Sequence, residues 1–288
     1  MLGGTQTWFS VHAGLRSEAE ADANIAIRDN TRVVDVGQDE HRAWVETAEA
    51  ELLVADIVVG ADGHRSVVRR AVSPEKPNAT FAGYLIWLGL AEETSIVSRH
   101  LWPTSAAILS ADHFHFLGVS APSLEGSTAK GSRQLAWAIY DAGWNDLLRR
   151  TGCVRGNIVH HTLAAANVPD EAYSHLRRIS GLWPKVWREA IMDCVSRRAI
   201  IGTPVPEYVP ERLVNGRVAL VGDAAHVPTP MTGNGFSASV TDAEVLAEAL
   251  SSHRDPRLAL SDYQDRRLDS VRGLVRGGQQ FSRSFARK

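Results

Sequence analysis

The chain has 288 residues, 44% of them hydrophobic and 22% charged, with 31 basic residues against 33 acidic ones and a formal net charge of −2. This is ordinary globular usage, and it excludes disordered, collagen-like and coiled-coil classes; the balanced charge leaves no electrostatic footprint for nucleic acid or an anionic membrane. The length predicts one or two domains at about 100–200 residues each.

Residues 10–22, SVHAGLRSEAEAD, read as a helix capped by Ser10, with Val11, Leu15 and Ala19 at helical spacing. Three strand signals follow at 31–36, 42–48 and 51–60. The polar turn GQDEH joins the first two as a hairpin. A basic helix, VVRRAV, follows the third. Pro74, Pro77 and Asn78 then mark a break. Beyond it, FAGYLIWLGL, RHLWPTSAAIL, HFHFLGVSA and RQLAWAIYD alternate as an antiparallel sheet does. Short helices are expected near 142–151, 170–180 and 184–196, the last with Pro184 at its first turn. RRAIIGTPV and GRVALVG return to strand texture, a glycine-bearing loop leads into the helix FSASVTDAEVLAEALSS, and an Arg-rich helix closes the chain from 256.

Cys153 and Cys194 form neither a disulfide framework nor a zinc pattern, so two reduced thiols are expected. No stretch approaches about 18 apolar residues, and the first residues lack a signal-peptide layout. A soluble, cytoplasmic protein is therefore expected, bound to neither membrane nor nucleic acid. The eight Trp are dispersed without basic clusters, which favours core and pocket packing over base stacking. The strong Arg bias, with Lys only at 76, 130, 185 and 288, is read as genome composition.

Two stretches carry chemistry. In Asp56-Ile-Val-Val-Gly60-Ala-Asp62-Gly63-His-Arg-Ser66-Val-Val-Arg69 a strand delivers a tight turn with a carboxylate at its tip and a helix behind. Glycine lets backbone approach a ligand, Asp62 can accept from a hydroxyl, and helix N–H groups face an anion. A plain strand–turn–helix corner is the competing reading. The second stretch is Arg217-Val-Ala-Leu-Val-Gly222-Asp223-Ala-Ala-His226-Val-Pro228-Thr-Pro230-Met-Thr-Gly233-Asn234-Gly235-Phe, followed by a helix with Asp242. Its helix start is a donor set suited to a developing anion on a bound ring.

DxxxGADGxxSxxR at 56–69 and GDAAHxxxPxxGxG at 222–235, in this order, resemble the second and third fingerprints of the FAD-dependent aromatic hydroxylases, the class A flavoprotein monooxygenases. The sheet beginning FAGYLIWLGL, with RQLAWAIYDAG and LVNGRVALVGDAA, resembles the 2,6-dihydroxypyridine 3-hydroxylase branch. The resemblance implies a Rossmann-like α/β fold with an inserted antiparallel-sheet domain. It divides the chain into an FAD-binding part at 1–76, a substrate-binding sheet at 77–200 and the rest of the FAD domain with the C-terminal helix at 201–288. It implies FAD as cofactor and NAD(P)H as co-substrate. It further implies hydroxylation of an aromatic or N-heteroaromatic ring with one atom from molecular oxygen, with homodimerisation left open. By the same resemblance Asp223 and Gly222 would hold the ribityl chain, and Pro228 and Pro230 would line the flavin face. Gly233, Asn234 and Gly235 would address its N1–C2=O edge. Asp62, Gly63 and Arg69 would lie by pyrophosphate and ribose.

One departure stands out. The family opens with a strand, a GxGxxG turn and a helix. Here the sole such match, Gly233-Asn-Gly235-Phe-Ser-Ala238, follows no strand directly. The chain therefore reads as a family member without its first βαβ, expected to hold FAD weakly or not at all. The alternatives are a catalytically silent remnant and a flavin-dependent dehydrogenase on the same scaffold. No metal is expected: His113 and His115 share a strand face without a third ligand, and His160 and His161 point to opposite faces. His226 is read as a turn residue bonding backbone, with a catalytic role near the flavin as the alternative. No GxSxG and no halogenase W-x-W-x-I-P signature occurs.

Overall fold

The computed structural model describes residues 8–123 and 126–287, with side chains from Val11 onward. In chain order the elements begin with α1 (Trp8–Ala21), β1 (Val33–Gln38), β2 (Ala43–Thr47), β3 (Leu52–Ala55), β4 (Val58–Gly60), α2 (Arg69–Val72) and β5 (Thr80–Glu92). They continue with β6 (Ala107–Ala111), β7 (Phe114–Ala121), β8 (Gln134–Asp141), α3 (Asn145–Arg150), β9 (Val154–Arg155) and β10 (Ile158–Val159). Last come α4 (Asp170–Ile179), α5 (Lys185–Arg197), β11 (Ile200–Glu207), β12 (Val214–Asn215), β13 (Val218–Leu220), α6 (Gly235–Ser252) and α7 (Pro256–Ala286). The chain divides into two compact units. One holds the described residues up to Arg28 with Tyr84–Cys153 and His161–Pro204; the other holds Asp29–Gly83, Val154–His160 and Val205 onward.

The first unit is built on the antiparallel order β6-β7-β8-β5. Its strands are rich in aromatic and branched residues, which suit a pleated, half-buried surface. One face is the core: Trp87, Trp137 and Phe116 are buried, and Trp183 and Trp187 pack edge or tilted on Phe116 at 5.0 and 5.3 Å between centroids. A Cβ at Gly118 would meet the Trp187 ring at 2.6 Å, so only glycine lets that indole lie on the strand. α5 contributes Val186, Trp187, Ala190, Ile191, Cys194 and Val195, the stripe that helical spacing predicts. On the opposite face Ile108, Leu117, Ala138 and Leu88 are directly opposed across four strands. Ile108 stays 74% exposed.

The second unit carries two three-stranded sheets, β1-β2-β3 and β12-β13-β4. Its core gathers Val68, Val72, Leu213, Val218, Leu220, Leu246, Leu260, Tyr263 and Val271 from the strands, α2, α6 and α7. Tyr263 donates its hydroxyl to Leu220 O at 2.8 Å, tying α7 to β13.

Most expected elements are present, with physical differences. α1 starts at Trp8, so Ser10 lies inside it and is not its cap. The 51–60 run is two strands: β3 pairs with β2, and the chain then turns at Asp56-Ile57 so that β4 joins another sheet. In 99–109 only β6 is strand. Arg99 folds back onto the carbonyls of Glu93, Thr94 and Ile96, and Pro103 offers no ladder donor. The hairpin turn is set by Asp39, whose Oδ1 accepts from the N–H groups of His41 and Arg42. Cys153 and Cys194 are free and buried. Among the described residues no helix is long and apolar enough to cross a membrane.

Candidate functional site

β4 and β13 are short apolar strands, each followed by a turn bearing glycine and aspartate. They pair in parallel, Val58 with Val218, Val59 with Ala219 and Gly60 with Leu220. Val221 N–H then donates to Gly60 O at 3.0 Å, so the two turns leave the sheet side by side. The two motifs are therefore adjacent in space. Ligands of open α/β sheets collect at such carboxyl ends.

Arg69 joins the turns. It is fully buried, and its Nε donates to Ala224 O at 2.7 Å. Nη2 donates to Asp223 O at 2.7 Å and Nη1 to His64 O at 2.9 Å. Its guanidinium stacks 4.2 Å over the Tyr208 ring, whose hydroxyl donates to Lys76 O. With its donors committed to backbone carbonyls, Arg69 shapes the two turns from behind. Its reach toward a ligand is through the loops it holds.

The two aspartates differ. Asp62 Oδ2 accepts from Val67 N–H at 2.6 Å and Val68 N–H at 3.3 Å, closing the turn that leads into α2. Asp223 is exposed, yet the surrounding protein desolvates it and raises its carboxyl above the usual range, against the pull of His226, His64 and Arg69. His64 is lowered by burial and by Arg65 and Arg69, with Asp223 opposing.

Gly222 takes φ +57°, a left-handed conformation that aims Asp223 out of the sheet. A Cβ there would lie 3.0 Å from Ser239 Oγ of α6, and Ser239 in turn donates to Gly235 O at 3.0 Å. The start of α6 is thus brought against Gly222. Pro228 is buried and Pro230 exposed, opening a 3-10 turn that ends at Gly233 with φ +65°. The GxGxxA match therefore follows a 3-10 turn rather than a strand. Two donors expected to be open are engaged within the loop: Gly233 N–H bonds Pro230 O at 3.0 Å, and Asn234 N–H bonds Thr232 Oγ1 at 3.4 Å. Gly235 N–H, at the helix start, has no acceptor within the helix.

His226 differs from its reading as a turn residue bonding backbone. It is fully buried, and its Nε2 bonds Asp242 Oδ2 at 2.7 Å. That carboxylate also accepts from Gly222 N–H at 2.9 Å and, on Oδ1, from Arg267 Nε at 2.8 Å. Burial acts to raise Asp242, but the hydrogen bond and charge of His226, the Gly222 N–H and Arg267 hold it below the usual carboxylate range. The sequence places Asp242 on the helix after the loop but does not show its partners, and Arg267 does not stand out at all, because these contacts join positions far apart along the chain. The set-aside His115 bonds Ser110 Oγ at 2.7 Å, and no group of three or more metal-ligating side chains gathers among the described residues.

The residues present fit a flavin. Backbone is bare at Gly63 and Gly233, with nothing within 4 Å of an added Cβ, and at Gly235 the nearest atom is Pro228 Cγ at 3.7 Å. These are open cradles that side chains would fill, beside an acceptor carboxylate at Asp223.

Comparison with known proteins gives the same direction. The model of the family described as FAD binding domain matches residues 9–181 and 182–277. The chain is 31% identical over 253 residues to the aurachin C monooxygenase/isomerase of Stigmatella aurantiaca, covering 84% of this chain and 56% of the relative. It is 26% identical to the 2,6-dihydroxypyridine 3-monooxygenase of Paenarthrobacter nicotinovorans, covering 82% of this chain and 58% of the relative. It thus spans about half the length of these curated relatives. Its fold is similar to that of 2,6-dihydroxypyridine-3-hydroxylase from Arthrobacter nicotinovorans, with TM-score 0.78, 23% identity, and 97% of this chain and 69% of the other covered. It is also similar to Klebsiella pneumoniae HpxO complexed with FAD and uric acid, with TM-score 0.68, 24% identity, and 90% and 59% covered.

Proposed function

Because the chain belongs to the FAD binding domain family, we propose that it is a flavoprotein monooxygenase that uses NAD(P)H and molecular oxygen to hydroxylate an aromatic or N-heteroaromatic ring. The observation that carries this reading is the parallel β4–β13 pair. It sets an exposed, desolvated Asp223 and the bare glycine turn at 233–235 at one strand end. When bound, FAD supplies the redox and oxygen-activating chemistry. The protein's part is to bind, orient and exclude water.

In this reading Asp223, exposed at the turn, accepts a hydrogen bond from a ribityl hydroxyl. Gly235 N–H at the start of α6 addresses the ring edge beside the bare backbone of Gly233, with Pro228 and Pro230 stiffening the loop that precedes them. Asp62, Gly63 and Arg69 shape the neighbouring turn for pyrophosphate and ribose. The sheet at 77–200 is the expected source of substrate contacts.

The test is to incubate the purified chain with FAD, NADH or NADPH and ¹⁸O₂ over a panel of hydroxypyridines, urate and hydroxybenzoates. The expected result is a hydroxylated product carrying one ¹⁸O atom. Reductant and oxygen consumption with no hydroxylated product across the panel points instead to a flavin-dependent dehydrogenase or oxidase.

A further inference from the structure

Asp242 lies on α6, outside both glycine-bearing turns, yet three segments converge on it. Its side chain is fully buried. Oδ2 accepts from Gly222 N–H at the exit of β13 and from His226 Nε2 in the loop, and Oδ1 accepts from Arg267 Nε on α7. Tyr263, also on α7, faces the same charge, and burial together with that charge raises its phenol. A carboxylate is acceptor-only, so one side chain can satisfy three donors; no neutral side chain of the same shape does that.

The geometry also sets the state of His226. Nε2 faces an ionised carboxylate and so carries the ring proton. Nδ1 is then the lone-pair nitrogen, and it is buried without a hydrogen-bond partner. A proton there would make a second buried N–H with nothing to accept it, which is costly.

We propose that Asp242 is the positioning residue of the flavin-bearing turn: by holding Gly222, His226 and Arg267 together it sets the direction of Asp223 and couples α7 to the cofactor site. The inference rests on the flavin reading above. Gly222 is the residue immediately before Asp223, and its left-handed backbone is held by the Asp242 bond to its N–H. Loss of that bond lets the turn relax and swings Asp223 with it.

Asp242→Asn exposes the logic. Gly222 N–H can only donate, so the asparagine oxygen must turn toward it. The amide NH₂ then meets Arg267 Nε–H, donor against donor. Replacing Arg267 with Met removes that clash. FAD is titrated into the full chain and followed by flavin fluorescence, with the bound-flavin absorption band recorded at saturation and a thermal melt of each variant. Asp242→Asn should weaken FAD binding by about tenfold to a hundredfold and shift the band. The double variant Asp242→Asn/Arg267→Met should recover affinity to within about threefold of Arg267→Met alone, and restore the band, since the remaining oxygen still meets Gly222. A wild type that takes up no FAD overturns the flavin reading and the inference with it. A wild type that binds FAD while Asp242→Asn binds within twofold, with an unchanged band, overturns the inference alone. If Asp242→Asn fails to fold, ¹⁵N spectra of wild-type histidines decide. His226 should carry its ring proton on Nε2, hydrogen-bonded to Asp242; an Nδ1–H tautomer overturns the proposal.

Discussion

Two turns of the second unit follow one plan, a short parallel strand ending in glycine and aspartate, but they use the aspartate in opposite ways. Asp62 is turned inward on its own chain and closes the approach to α2 through two N–H groups. Asp223 is turned outward and desolvated, and its anchoring is delegated to Asp242 and Arg69, both of which act on its backbone neighbours. An aspartate after a short strand is thus a fold element in one turn and, in the proposed reading, a ligand group in the other. The difference lies in whether backbone donors of the same turn already engage the carboxylate.

The strongest way to break this comparison is at Arg69, which serves both turns. Arg69→Met keeps the stem but leaves the carbonyls of His64, Asp223 and Ala224 without their donor. Unfolding by urea should show a loss of about 3 kcal/mol or more. A loss below about 1 kcal/mol would show that the turns do not depend on this staple.

A smaller effect separates the aspartates. Asp223→Ala should weaken FAD binding about tenfold, whereas Asp62→Ala should act chiefly on stability, as loss of a cap does, by about 1 kcal/mol. The pH dependence carries a sign. Burial raises the folded pKa of Asp223 above its unfolded value, so ionising it costs stability. Removing the carboxyl should therefore stabilise the chain slightly as pH rises above about 4, with the gain vanishing in acid. Asp242 runs the other way. Its lowered pKa contributes stability above about 4 that is lost as pH falls through its folded value. A wild-type chain whose melting temperature climbs as pH falls below 4 would contradict the Asp242 assignment.

Much of this site is legible in the amino-acid sequence because its signals are local. Apolar runs that lead into glycine, as at 58–60 and 218–222, identify the paired strands. Gly222, Asp223 and the 233–235 turn declare themselves by spacing. What escapes is long-range. The partner of His226 is sixteen positions away on another element, and that of Asp242 twenty-five positions away on α7. Arg267 looks like any other arginine of a polar helix. Arg69, aligned with a cofactor-binding motif, turns out to be enclosed by carbonyls, and no pattern of charge reveals burial. The turn at Asp56-Ile57 is hidden for the same reason: an apolar run does not say which sheet each half will join.

The central claim is that the 222–235 loop carries the flavin, and Gly235 tests it most directly. A Cβ at Gly235 would meet only Pro228 Cγ at 3.7 Å, an ordinary van der Waals contact. FAD titration of wild type and Gly235→Val, with Asp112→Asn in the exposed β6–β7 hairpin as the comparison, separates ligand obstruction from damage to the fold. The account predicts weak but measurable uptake by wild type and Asp112→Asn, and at least about a tenfold loss in Gly235→Val at an unchanged melting temperature. Equal FAD affinity and an identical flavin absorption band in Gly235→Val would contradict it.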